Sequence, residues 1–495
     1  MKCTNCGNEV QLRSEHCHVC GQKVVVDFDV LAQSVHEDAA VRRSEQIAGA
    51  LRWVILALLI IGALIYSIND LYDKPLVYDG AGLPAITAPG NLQIELPSLQ
   101  KPYAEPRPNP SLPQSRTTAF GYRYSPIKEK IREASNGNKP AAGITRSVPT
   151  AINDGLKFLA QWQNADGVWT AAWLPRDSDQ YKCREYAWGN VGISSLALLA
   201  FLGEGETWIK DEKTQRSGPY ADKLRKGLRW LASQQDKEGR FGYGEGEAVH
   251  FMYNHGMATL CMCEAAGLSG DDQLREIAQK GLDFLLKTQT PAGGWNYRAT
   301  PDGDTDTSLS TWAVQALLAG REAGLKVPEE ALKKCSDLYS KAVTADGRVI
   351  YSMSSGDDKV DRPSLAGAAL MLRQLTGEDP KSPQLRQIAN RLREMLPQSR
   401  KEWSPPGGWK PNPRNDDEAR ATFDPYKLYF CTYGMYMMGG KDWELWHEAL
   451  KKSACEMQEL KDGAWRTNDP WSLCGGNIYS TALMILTLQV YYRIQ

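Results

Sequence analysis

Net charge is almost absent from this sequence. Lysine and arginine number 58 against 59 aspartate and glutamate, so no basic excess is left to grip a phosphate backbone. Nucleic acid is therefore a poor partner. A disulfide framework is missing too. Beyond residue 20 the cysteines are Cys183, Cys261, Cys263, Cys335, Cys431, Cys455 and Cys474, scattered and odd in number. What is present is length and aromatic content: 495 residues, 42% hydrophobic, with 15 tryptophans and 21 tyrosines. That is enough for a large core, and the aromatic load is heavier than packing alone calls for.

The remaining cysteines stand at the head of the chain. Cys3, Cys6, Cys17 and Cys20 form two C-x-x-C pairs, each followed by glycine. Four thiolates at this spacing suit tetrahedral zinc, with surface thiols or a redox pair as the alternatives. The pattern resembles a short zinc ribbon over residues 1–24, and with four sulfurs the shell has no open position for water. A juxtamembrane linker, 25–46, leads to an apolar run over 47–69 that reads WVILALLIIGALIYSI at its centre. Only Arg52 interrupts it, near one edge, and the length suits a single membrane-spanning helix. Arg42, Arg43 and Arg52 precede the run while Asp70 and Asp73 follow it, which predicts a cytoplasmic zinc ribbon and an extracytoplasmic remainder. Residues 70–145 are rich in proline, with runs such as KPYAEPRPNPSLP, and read as an extended stalk.

From residue 146 to 495 one grammar recurs. An amphipathic helical pattern ends in glutamine, a glycine turn follows, then an aromatic anchor, then a more apolar helical pattern. Gln163, Gly167 and Trp169 give one copy, Gln235, Gly239 and Phe241 a second, Gln289, Gly293 and Trp295 a third. Weaker copies end at Val349, Trp409 and Trp465. Successive anchors stand 54 to 72 residues apart, and near-equal spacing on this scale means one repeated architecture. The first pattern of each pair (151–163, 221–235, 273–289, 328–343, 382–396, 445–460) has a charged face and predicts an outer helix. The second (190–203, 253–267, 306–320, 361–377, 424–440, 477–492) is richer in Ala, Gly and Ser and predicts an inner one. Six pairs predict an all-α (α/α)6 toroid, in which the glutamine bonds turn backbone, glycine permits the reversal and tryptophan packs over it.

These Q-x-x-x-G-x-W repeats resemble the squalene/hopene cyclase and protein prenyltransferase β-subunit superfamily over residues 145–495. The resemblance implies a site at the barrel mouth, where inner-helix N-termini converge. The cyclases resembled carry a D-x-D-D-T-A motif whose central aspartate is the proton donor. Here the matching stretch is GDTDTS: Asp306 takes the last aspartate's place, Thr305 falls where the donor belongs, and Asp304 is adjacent. Both acids are catalytic candidates, with an N-cap role for Asp306 as the plain alternative. The prenyltransferases resembled hold zinc through Asp, Cys and His. No D-x-C stands at an inner-helix start here, and His255, Asp306 and Cys474 are the residues that would have to converge. The thioester sequence G-C-G-E-Q of related barrels is absent as well.

His250 and His255 sit just before and within the second inner pattern as ligand-binding candidates, the latter also a third catalytic candidate against the reading of a satisfied buried histidine. Tyr426, Tyr429 and Tyr433 on the fifth inner pattern line either an apolar cavity or the core. The function these features predict is a membrane-anchored toroid that binds a protein partner or hydrophobic ligand in an axial cavity or at the mouth. The alternative is a terpenoid cyclase- or prenyltransferase-like enzyme acting on an isoprenoid substrate.

Overall fold

The Gln-Gly-aromatic grammar is a hydrogen-bonded unit that repeats. In the computed structural model Gln289 Nε2 donates to the carbonyl of Gly293, 3.0 Å away, closing its own turn, and to that of Ala331, also 3.0 Å, on the next outer helix. Gln163 bridges Gly167 and Lys223 in the same way, and Gln235 bridges Gly239 and Ile277. The indole of Trp295 points back and donates from Nε1 to the carbonyl of Leu285 at 2.8 Å; Trp169 does the same to Leu159 and Trp465 to Ala454. Each turn thus ties one repeat to itself and to its successor. Gly293 is obligatory: its φ is +99°, and a Cβ there would collide with the carbonyl of Lys334.

The structure describes residues 6, 20, 147–170, 189–205, 208, 218–242, 250–354, 362–399, 423–467 and 469–493. Two compact units divide the chain, Met1–Asn91 and Leu92–Gln495, and the first contributes only Cys6 and Cys20 to this description. Outer helices among the described residues are α1 (Val148–Trp162), α3 (Ala221–Ser233), α5 (Asp272–Thr288), α7 (Glu329–Ala342), α9 (Pro383–Arg393) and α11 (Gly440–Met457). Inner helices are α2 (Asn190–Glu204), α4 (Phe251–Ser269), α6 (Thr307–Glu322), α8 (Pro363–Leu375), α10 (Pro425–Met438) and α12 (Pro470–Leu488), with a last turn α13 (Val490–Arg493). The α3 helix shows why the outer set forms: Leu224, Gly227, Leu228 and Leu231 recur on one face and are buried, while the lysines and arginines stay outside. Inner helices are apolar nearly all round because neighbours cover every face. On α8 a Cβ at Gly367 would meet the Cys431 backbone of α10, so only glycine allows that approach.

Contacts run α2 to α4, α4 to α6, α6 to α8, α8 to α10, α10 to α12, and α12 back to α2. The ring is closed. Its outer seam is drawn by Gln458, whose Nε2 donates to Ala151 of the first repeat at 2.8 Å and to its own Gly463 at 2.7 Å. The all-α toroid is therefore what the repeat pattern predicts. The chief boundary difference is α12, which begins at Pro470 rather than 477 because Asp469 caps it; non-helical Gly476 then kinks it.

Three expectations are corrected. Among the described residues no helix is long and apolar enough to cross a membrane. The longest, α4 and α12 at 19 residues each, are apolar because other helices bury them. The segment 47–69 and the proline-rich residues 70–145 lie outside the described residues, so the fold is stated without a transmembrane helix. Membrane anchoring, and the split between a cytoplasmic head and an extracytoplasmic toroid, are withdrawn with it. The zinc expectation is not tested, because only Cys6 and Cys20 of its four cysteines are among the described residues. Cys3 and Cys17 lie outside the described residues, as does the anchor Trp409.

Candidate functional site at the inner-helix mouth

The N-terminal turns of the inner helices meet at one end of the ring. There the first turns of α2, α4, α6, α10 and α12 enclose a pocket of about 110 Å³. Gly192, Ile193 and Leu196 form one wall, Met257 and Asn254 a second, and Trp471, Gly475 and Tyr479 a third. Its other polar lining is His250 and the hydroxyls of Tyr253, Ser308 and Tyr426. Below it the axis is filled. Trp312 stacks on Tyr429 at 5.7 Å and 8°, with Phe430 edge-on to both. Tyr429 donates to Gln315 Oε1 at 2.8 Å and Tyr433 to the carbonyl of Leu486 at 2.9 Å. Of the three candidate tyrosines only Tyr426 lines the pocket; Tyr429 and Tyr433 are core.

The two candidate acids do different work. Asp306 is the N-cap of α6: its Oδ1 accepts the Leu309 N–H at 2.8 Å and its own N–H donates to Trp295 at 2.9 Å. Burial pushes its carboxyl up, against the opposing pull of the Leu309 N–H and the Tyr351 hydroxyl. Asp304 is exposed. Burial acts upward on it as well, but is outweighed by hydrogen bonds from the Ser352 hydroxyl and from the backbone N–H groups of Ser354 and Thr305, so its carboxyl stays below the usual range. Asp304 ties two loops together and holds no proton at neutral pH.

His255 is far from the mouth's chemistry. It is fully buried, its Nδ1 accepts the Phe241 N–H at 3.2 Å, and Nε2 therefore carries the proton and donates to Gly281, also at 3.2 Å. Burial drives its pKa down to about 3. It does for the second turn what Ser194, Ser310 and Thr481 do for the Trp169, Trp295 and Trp465 N–H groups. His250, half-buried at the N-cap of α4, does reach the pocket and stands edge-on to Tyr297 at 6.2 Å; burial lowers its pKa. Among the described residues neither His255 nor Asp306 belongs to a metal-ligating group. The first is a core residue, the second a cap, and the Cys474 side chain lies outside the described residues.

The residue class that sequence reasoning missed is a set of tyrosines. The hydroxyls of Tyr297 and Tyr351 are 2.7 Å apart, and the Tyr297 hydroxyl lies 3.5 Å from that of Tyr253. Tyr253 donates to Ser308 Oγ at 3.0 Å, which is 3.2 Å from the Tyr426 hydroxyl. The Arg362 guanidinium covers the Tyr351 ring at 4.6 Å. A signal was present: Tyr243, Tyr297 and Tyr351 each stand two residues after an anchor of the second, third and fourth turns.

Two neighbouring caps add a pH-sensitive element. Asp424 accepts from the N–H of Tyr426 at 2.8 Å on α10, and the buried Asp469 from those of Trp471 and Ser472 on α12, at 3.1 and 3.0 Å. Burial, then the charge of Asp469, raises Asp424; burial raises Asp469 too, while buried Lys427 pulls Asp424 down. An acid whose folded pKa exceeds its unfolded value of about 4 binds protons that the unfolded chain releases, so its contribution is full at low pH and lost as pH rises through the folded pKa. Unfolding midpoints in urea between pH 4.5 and 7.5 are expected to fall less with pH in Asp424→Asn than in the wild type. Parallel pH dependences would refute this assignment.

The class this fold and site define is an (α/α) toroid with an apolar pocket at its inner-helix mouth. Solved structures of similar fold include a type II terpene cyclase from Scytonema, 13% identical over 69% of this chain and 97% of that one, TM-score 0.44. Others are an alpha-1,6-mannanase of Salegentibacter (14%, 70% and 100%, TM-score 0.46) and a D-mannose isomerase (12%, 69% and 96%, TM-score 0.48). No protein-family model matches this chain, and no curated protein does. The reading of the site rests on its own residues.

Proposed function

We propose that the mouth pocket is the substrate site of a terpenoid cyclase- or prenyltransferase-like enzyme acting on an isoprenoid. The observation that carries this reading is the composition of the wall: aliphatic, thioether and aromatic groups on most sides, and hydroxyls gathered on one. A branched hydrocarbon offers no hydrogen bonds, so its binding energy comes from buried area at about 25 cal/mol per Å². A sugar would leave many hydroxyls unpaired against such a wall, each at a cost of about 1–3 kcal/mol. An engineered cavity of ~150 Å³ accepts benzene. A space of about 110 Å³ therefore suits the leading isoprene unit, with the rest of the chain toward the open mouth.

The test uses geraniol, farnesol and geranylgeraniol, with binding followed by tryptophan fluorescence, since Trp471 on the rim is 48% exposed. Products are read by mass spectrometry. Gly189 lines the pocket, and a Cβ there would meet only the Ile193 Cδ1, at an ordinary 3.5 Å, so Gly189→Phe adds a ring at the pocket from an open position. It is expected to weaken binding at least ~10-fold, the equivalent of about 1.4 kcal/mol. A wild-type protein that binds none of the three alcohols overturns the reading.

A further inference from the structure

We infer that the mouth pocket takes its isoprenoid oxygen end first, and that this oxygen is a neutral alcohol or carbonyl held by the hydroxyls of Tyr426, Ser308 and Tyr253. The inference deepens the isoprenoid reading and rests on it. The three hydroxyls come from three inner helices, α4, α6 and α10, and all three residues line the pocket. Tyr253 donates to Ser308 Oγ at 3.0 Å, and the Ser308 and Tyr426 hydroxyls are 3.2 Å apart.

Tyr426 is the poorly served member of this group. It is 8% exposed, and among the described residues the acceptors within reach of its proton are Ser308 Oγ at 3.2 Å and the Ser308 carbonyl at 3.4 Å. Hydroxyl donors ordinarily stand about 2.7–2.8 Å from their acceptors. Both contacts are long, so a ligand oxygen in the pocket makes a better acceptor than the wall does. Ser308 Oγ has two acceptor lone pairs, and Tyr253 occupies one. Once Tyr426 turns to the ligand, the other is released and can accept the O–H of a ligand alcohol. A carbonyl needs only the first of these bonds.

The same wall excludes an anion. No lysine or arginine is among the described lining residues. His250 lines the pocket, but burial lowers its pKa, so the ring is neutral at pH 7. The Arg362 guanidinium covers the Tyr351 ring, and neither of these two residues lines the pocket. Burial above all, with the charge of Asp306 adding to it, raises Tyr253 and Tyr426, which keeps both as neutral O–H donors. A diphosphate or carboxylate set against this wall would be a buried charge without a partner, which is far costlier than a buried, hydrogen-bonded hydroxyl.

The experiment measures binding of three ligands with one carbon skeleton to the full chain by tryptophan fluorescence. They are geraniol, its oxygen-free counterpart 2,6-dimethylocta-2,6-diene, and geranyl diphosphate. Wild type is expected to bind geraniol ~10-fold more tightly than the diene, the upper end for one well-made hydrogen bond, and geranyl diphosphate at least ~10-fold more weakly than geraniol. Tyr426→Phe and Ser308→Ala are expected to reverse the first preference, because the geraniol hydroxyl is then buried unpaired, while diene binding stays within a few-fold of wild type. Melting temperatures close to wild type establish that the variants are folded, and the wild-type comparison stands without them. A wild type that binds the diene as tightly as geraniol overturns the inference. So does geranyl diphosphate binding as tightly as geraniol, since the oxygen end then lies outside, and so does a geraniol preference that survives both substitutions. Each of these leaves the pocket reading intact, because an isoprenoid binds. Absence of binding by all three ligands overturns the pocket reading itself and the oxygen site with it.

Discussion

Trp295→Ala is expected to destabilise the toroid by about 3–5 kcal/mol, the range for removing a large buried aromatic side chain. The indole is fully buried and holds the third turn down on α5 through its Nε1 bond to Leu285, which alanine cannot replace. The loss should reach the site, because the Trp295 carbonyl accepts the Asp306 N–H and the same turn carries Tyr297. Urea unfolding at constant slope reads the effect as a lower midpoint. Trp162→Ala is the control. That ring is 39% exposed and should cost far less. Equal losses from the two substitutions would show that the turn tryptophans are not what holds the repeats.

Glu264→Ala has an expected cost of similar size by a different route. Glu264 on α4 pairs with Arg493 of the C-terminal turn at 2.5 Å, and the two side chains are 7% and 5% exposed. Arg493 also donates to the carbonyl of Leu199 on α2 at 3.2 Å, while Gln489 reaches Ala200 at 2.8 Å. The chain end is thereby fastened beneath the first two inner helices. Removing the carboxylate breaks the buried ion pair, at a cost of ~3–5 kcal/mol. Replacing both residues with methionine removes the charge problem together with the pair, so the double variant should recover most of that loss. A double-mutant cycle gives the measurement. If Glu264→Ala costs below ~1 kcal/mol, in the range of an exposed pair, water reaches the site and the fastening role is wrong.

Both effects depend on ring closure, yet only the first could be read along the chain. Gln163, Gly167 and Trp169 act within four to ten residues of one another, and so leave a repeating mark that names the turn, the helix pair and the toroid. Burial of His255 was one of two readings of an apolar helix; Phe241 and Gly281, which bond its two ring nitrogens, decide between them. The apolar run over 47–69 shows the opposite limit. Hydropathy reports a preference to leave water but not whether lipid or protein provides the refuge, and α4 and α12 are apolar because helices surround them.

The helix pairs, their inner and outer roles and their number are legible along the chain, because those follow from side-chain periodicity and from hydrogen bonds that span a turn. Which side chains meet at the mouth is set by packing between distant repeats. Ser308 and Tyr426 are 118 residues apart and Tyr297 and Tyr351 are 54, and nothing local places their hydroxyls together. Closing six inner helices around one axis does so: it turns their first turns toward a common point and leaves Asp304 outside, Asp306 in its cap, and the hydroxyls of Tyr253, Ser308 and Tyr426 at the pocket wall.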